Sequence, residues 1–111
     1  MASEFTYKFT EKASNDLDEI FKYMSIQLDN KTAAKDFFDK VTESINRICS
    51  FPELGKLVQN ELLTRDDVRR VVIDNYILYY IPDMTNKEIY ILSIAYGKRN
   101  LINLMMEFNL M

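Results

Sequence analysis

The sequence predicts an α+β domain: an N-terminal strand, an α-helical hairpin, an antiparallel β-meander that completes a four-stranded sheet, and a short C-terminal helix. Three observations predict it. Between residues 68 and 96, three runs of mainly β-branched and aromatic residues follow one another, the types that fit a pleated, half-buried surface. Between residues 11 and 48, apolar residues recur instead at helical spacing on two successive stripes. At the start of the chain Phe5, Tyr7 and Phe9 alternate with Thr6, Lys8 and Thr10, the period of a strand with one buried face.

That first strand is expected to join the later sheet. Thr10 is placed to cap a helix beginning at Glu11, with Ala13, Leu17, Ile20, Phe21, Met24 and Leu28 on one stripe and Lys12, Asn15, Asp18, Glu19 and Lys22 opposite. Asp29 or Asn30 ends this helix or caps the next, whose stripe is Ala34, Phe37, Phe38, Val41, Ile45 and Ile48. Ser50-Phe51-Pro52 stops it, because proline disfavours helix at the preceding residue. So short a connection makes the two helices antiparallel, and their apolar stripes need a sheet to cover them.

From residue 52 to 67, Pro52, Gly55, Lys56, Gln59, Asn60 and Thr64 mark a loop, which Leu57-Val58 and Leu62-Leu63 can pin to the surface. The meander follows. Residues 68–73 and 76–81 are joined by Asp74-Asn75, residue types that tolerate left-handed backbone and so a two-residue turn. A longer turn at Pro82, Asp83, Thr85 and Asn86 leads to a third strand, residues 88–96, which Gly97 ends. Asn100 is placed to cap a last helix with Leu101, Leu104, Met105 and Phe108 on one stripe and Ile102, Met106 and Leu110 on another. Being apolar nearly all round, this helix is expected either to fold onto the sheet or to leave a groove for a partner.

Residues 1–111 suffice for one domain with a core and are too few for two. A hydrophobic fraction of 48% excludes a disordered chain. No apolar run approaches the roughly 20 residues that cross a bilayer, and residues 1–10 lack the pattern of a secretory signal. The expectation is a cytoplasmic protein with no membrane partner. Cys49 is the single cysteine and there is no histidine, so no internal disulfide, metal or cofactor site is expected, and Cys49 reads as a small buried hydrophobe. A net charge of −3 argues against a protein that coats nucleic acid non-specifically, although Arg65, Arg69, Arg70, Lys98 and Arg99 form a local basic cluster.

The order strand, α-hairpin, "FPELGK" after the second helix, "VRRVVIDNYILYYI" and "IYILSIAYGKR" resembles the RelE/ParE family of bacterial toxins from type II toxin–antitoxin systems, over essentially the whole chain. The resemblance implies a small toxin whose antiparallel sheet is backed by helices and which is held inactive by an antitoxin encoded beside it. Some members of that family cut mRNA in the ribosomal A site, and others poison DNA gyrase.

Metal-free RNA cleavage needs a group to help remove the 2′-hydroxyl proton, cations for the phosphate charge and a donor for the leaving oxygen. In RelE-like nucleases this work is spread over lysines and arginines of the sheet and a C-terminal tyrosine or histidine. By that resemblance the catalytic candidates are Arg69 at a basic position of the sheet, Arg99 after the last strand, and Tyr96 (or Tyr90) as donor; Lys98, Arg70 and Lys56 are candidate substrate-binding cations. The pattern is broken at Val71 and Ile77, where the nucleases carry basic residues, and at Met105, near the place of the terminal tyrosine.

Each candidate also has a plainer reading. Arg69 and Arg70 point to opposite faces of one strand, so at most one lies directly on any active surface. The exposed cations can simply pair with carboxylates, which contributes about 0 to 1 kcal/mol. That reading is preferred for Lys56, Arg65 and Arg70. Phe37-Phe38 and Tyr79-Tyr80 read as core or interface. The missing nuclease residues turn the functional expectation toward gyrase inhibition, with a ribosome-dependent mRNA endonuclease and a non-toxic partner-binding module as alternatives.

Overall fold

The computed structural model describes residues 5–97 and 101–109, so Lys98, Arg99 and Asn100 lie outside the described residues. The elements are β1 (Thr6–Phe9), α1 (Glu11–Lys22), a π-helical turn (Tyr23–Gln27), α2 (Lys31–Ser50), β2 (Lys56–Leu57), β3 (Arg69–Ile73), β4 (Tyr76–Asp83), β5 (Glu88–Tyr96) and α3 (Leu101–Asn109). Among the described residues, no helix is long and apolar enough to cross a membrane.

The predicted α+β class holds, with two corrections to the sheet. It has five strands, ordered β1-β5-β4-β3-β2, rather than four. It is also mixed, because β1 runs parallel to β5, from Thr6 opposite Glu88 to Phe9 opposite Ile91. Parallel and antiparallel strands share the same two-residue side-chain period, so alternation cannot reveal direction. The helical hairpin lies between β1 and the meander, and no tight turn dictates how β1 must run. The added strand, β2, pairs antiparallel with β3 over two residues, too short a stretch to show any period.

Thr10 caps α1 as expected, its hydroxyl accepting the Ala13 N–H at 3.1 Å while donating to the Leu92 carbonyl at 3.0 Å. The cap therefore also ties the helix to β5. Asn30 caps α2 by accepting the Ala33 N–H at 2.9 Å. Three residues assigned to the buried stripes instead face outward: Phe21, Leu28 and Phe38. Phe21 and Phe38 directly follow Ile20 and Phe37, and about 100° of rotation per residue turns the second of two adjacent side chains away from a core the first has filled. Leu28 follows the π-helical turn, whose extra residue per turn shifts the stripe.

The sheet separates two apolar clusters. On one face Phe37, Val41, Ile45 and Ile48 of α2 pack on Ile73, Leu78, Tyr80, Ile89, Ile91 and Ile94. On the other, Leu104, Met105 and Phe108 of α3 cover Tyr79, Ile81, Leu92 and Ala95, with Leu63 and Val68 alongside. The C-terminal helix thus folds onto the sheet. Within β5 the register slips, Ser93 pairing with Tyr79 but Ile91 with Tyr80, so Leu92 is an extra residue accommodated by a bulge.

Candidate interaction site on the sheet

The loop after α2 is fixed by two side chains of the sheet. The Tyr80 hydroxyl accepts the Gly55 N–H at 2.9 Å and donates to the Pro52 carbonyl at 2.8 Å. Arg69 donates from Nη1 to the Gly55 carbonyl at 2.7 Å and the Glu53 carbonyl at 3.3 Å, with Nη2 3.9 Å from the Glu53 carboxylate. Gly55 is required by this close approach, since a Cβ there would lie 2.7 Å from the Arg70 carbonyl oxygen and 2.9 Å from the Tyr80 ring. The FPELGK segment is therefore a structural clasp in which Arg69 is a binding strut. Burial pushes the Tyr80 phenol above its ordinary pKa, with the Gly55 N–H and Arg69 opposing the shift.

Arg70 projects from the opposite face of β3, across from Tyr79 on one side and Lys56 on the other. Like charges directly opposite on neighbouring strands repel. Among the described residues neither Lys56 nor Arg70 has a carboxylate within salt-bridge distance, so the pair stands as an unneutralised basic corner. Arg70 lines a cavity of about 440 Å³ with Val58, Gln59, Asn60, Ile77, Tyr79 and Met105. Gly97 sits at the same cavity, and from it the chain continues into Lys98 and Arg99. The Tyr79 phenol is pushed up by burial and drawn partly back by Arg70.

Of the sequence candidates, the structure brings Arg70 and Lys56 together and keeps Arg69 and Tyr96 apart from them. Tyr96 lies on the hairpin side, its ring 5.6 Å from that of Tyr76 in an edge-on contact. Lys98 and Arg99 lie outside the described residues. Val71 packs on the hairpin side, whereas Ile77 and Met105 line the Arg70 cavity as apolar side chains. Gln59, Asn60 and Tyr79 of this cavity are not among the site candidates of the sequence, which reads the first two as loop markers and Tyr79 as core or interface. A usable signal existed for the arginines: Arg69 shares its strand face with Val71 and Ile73, which the hairpin covers, and Arg70 shares its face with exposed Val72.

The family model for the ParE toxin of the type II toxin–antitoxin system, parDE, matches residues 7–101. This chain belongs to the ParE toxin family. Solved structures agree in fold. A chain of the chromosomal ParDE system from P. aeruginosa superposes with a TM-score of 0.66 at 22% identity, over 85% of this chain and 97% of that one. The RelBE2 toxin–antitoxin complex from Mycobacterium tuberculosis gives 0.57 at 19% identity, over 83% of this chain and 96% of that one. The archaeal RelE–RelB complex from Pyrococcus horikoshii gives 0.56 at 15% identity, over 86% of this chain and 98% of that one. A search of curated proteins gave no sequence match. At such identities the structural likeness is one of fold, and a ParE-family chain is what the sequence match adds.

Proposed function

We propose that this ParE-family chain is a growth-arresting toxin, neutralised by an antitoxin encoded beside it, and that it acts by binding DNA gyrase rather than by cutting RNA. The observation that carries the choice of target is the lining of the Arg70 cavity, which among the described residues offers one guanidinium and the Tyr79 phenol, whose pKa burial raises, among apolar and amide side chains, with no carboxylate or imidazole to accept a proton. The second sheet arginine, Arg69, spends its donors on the loop clasp. General acid–base catalysis requires a group within hydrogen-bond reach of the proton it moves, and binding alone does not. Inhibition by binding is the chemistry this surface supports. The antitoxin reading draws on the neighbours of like fold, which are chains of toxin–antitoxin systems.

The endonuclease remains the competing reading because Lys56 and Arg70 share one face and the chain passes from Gly97 into Lys98 and Arg99. Two assays on purified protein, freed of antitoxin, separate them: gyrase supercoiling and cleavage of ribosome-bound mRNA. Wild type should block supercoiling and leave mRNA intact, and Arg70→Ala should weaken the block at unchanged melting temperature. A-site cleavage that drops by about 100-fold in Arg70→Ala or Arg99→Ala would establish the nuclease instead, since removing one preorganised cation slows chemistry by roughly that factor. Folded wild type that is silent in both assays would leave a partner-binding module without toxicity.

A further inference from the structure

A second cavity, of about 390 Å³, opens on the opposite face of the sheet between α1 and the last residues of β5, lined among others by Glu19, Tyr23, Tyr76 and Tyr96. The Tyr76 and Tyr96 rings meet edge-on at 5.6 Å, and Phe37 backs Tyr76 at 4.9 Å. Burial raises the Tyr76 pKa, with Tyr23 and Tyr96 adding to the rise, so the three phenols share one space. Tyr23 and Tyr96 remain 45% and 48% exposed, leaving ring surface open to a ligand. Tyr23 opens the π-helical turn, a distortion of helix that recurs at functional sites.

The floor of this cavity is already satisfied. Beyond the end of β1, Asp16 replaces the missing strand by accepting the Ile94 N–H at 3.1 Å and the Ser93 hydroxyl at 2.7 Å, and Lys12 neutralises it at 3.1 Å. An added strand would therefore find the Ile94 N–H already taken. Glu19, exposed at the rim, forms no salt bridge among the described residues. Aromatic faces are electronegative and attract cations held within about 6 Å, the more so beside an unpaired carboxylate.

We propose that this groove receives one basic side chain, a guanidinium or alkylammonium group, from a partner polypeptide, with Tyr23, Tyr76 and Tyr96 around it and Glu19 at its mouth. A polypeptide fits better than a free small cation because Ile26, on the same π-helical turn as Tyr23 and 72% exposed, adds apolar surface that a free cation would leave uncovered. The inference does not depend on which target the toxin has.

The test follows tyrosine ring resonances by NMR while the full chain is titrated with a capped heptapeptide of alternating threonine and valine carrying a central arginine. Parallel titrations use the same peptide with neutral citrulline, and arginine amide alone. The expected result is shifts centred on Tyr23, Tyr76 and Tyr96, with the arginine peptide binding roughly 5- to 10-fold tighter than the citrulline peptide. Glu19→Gln and Tyr23→Ala, both at exposed positions, should each erase most of that difference while the melting temperature stays put. Equal affinity for the arginine and citrulline peptides, shifts elsewhere on the protein, or no shifts at millimolar peptide would overturn the proposal. Arginine amide binding as tightly as the peptide would overturn the polypeptide and leave a small-cation site.

Discussion

The two faces of the sheet are built for different tasks. The hairpin face is closed by a helix of 20 residues whose Phe37, Val41, Ile45 and Ile48 reach across β3, β4 and β5. The other is closed by α3, nine residues long, and by part of the 58–67 loop, and at its corner stand Lys56 and Arg70, which have no carboxylate partner among the described residues. The neighbouring arginines make the same contrast within one strand, Arg69 anchoring a loop on one side and Arg70, without a carboxylate partner among the described residues, lining a cavity on the other. The larger buried cluster lies on the hairpin face, and stability is expected to concentrate there, so that the other face can carry charge and open surface at little cost to the fold.

The largest effect should come from the hairpin face. Phe37→Ala, at a side chain 3% exposed and in tilted contact with the Tyr76 ring, should destabilise the domain by about 3 to 5 kcal/mol in chemical denaturation. Phe108→Ala is as deeply buried, yet its loss should be relieved by undocking of α3. The expected signature is lost hydrogen-exchange protection across Leu101–Asn109 with a smaller shift of the denaturation midpoint. Equal midpoint shifts for the two variants would break the contrast between the faces.

The clasp comes next. Gly55→Ala forces a Cβ against backbone and ring and should cost about 1 to 3 kcal/mol. Tyr80→Phe strands the Gly55 N–H and the Pro52 carbonyl and should cost a similar amount, about 1 to 3 kcal/mol. Arg69→Ala should lose about 1 to 2 kcal/mol with the clasp, and Arg70→Ala should stay within about 0.5 kcal/mol, read from melting curves of the pair. An Arg70→Ala protein less stable than Arg69→Ala would reverse the roles assigned to the two residues.

The smallest effect at neutral pH is that of the buried phenols. Tyr79 and Tyr80 have folded pKa values raised by burial above the ordinary value of about 10, so above that pH the folded state binds more protons than the unfolded one. Their contribution is intact below about pH 10 and is lost as pH rises through the raised folded values. Stability measured between pH 7 and 11 should therefore fall only at the alkaline end, and less steeply in Tyr79→Phe. A steep loss below pH 9 would require another titrating group.

The sequence by itself determined the elements and their order, apart from β2 and the π-helical turn, because helix caps at Thr10 and Asn30, the proline stop at Pro52 and the Asp74 turn, where φ is +54°, act over a few residues. It also carried the alternation that sends Arg69 and Arg70 to opposite faces. Only the tertiary structure decided which arginine is consumed, since the partners of Arg69 are loop carbonyls 14 and 16 positions away in sequence. It alone decided that β1 runs parallel to β5, that Asp16 reaches a backbone N–H 78 residues distant, and that Tyr23 gathers with Tyr76 and Tyr96. Local patterns record which face a side chain takes, whereas contacts between distant segments depend on how whole elements pack, and no short window of residues encodes that.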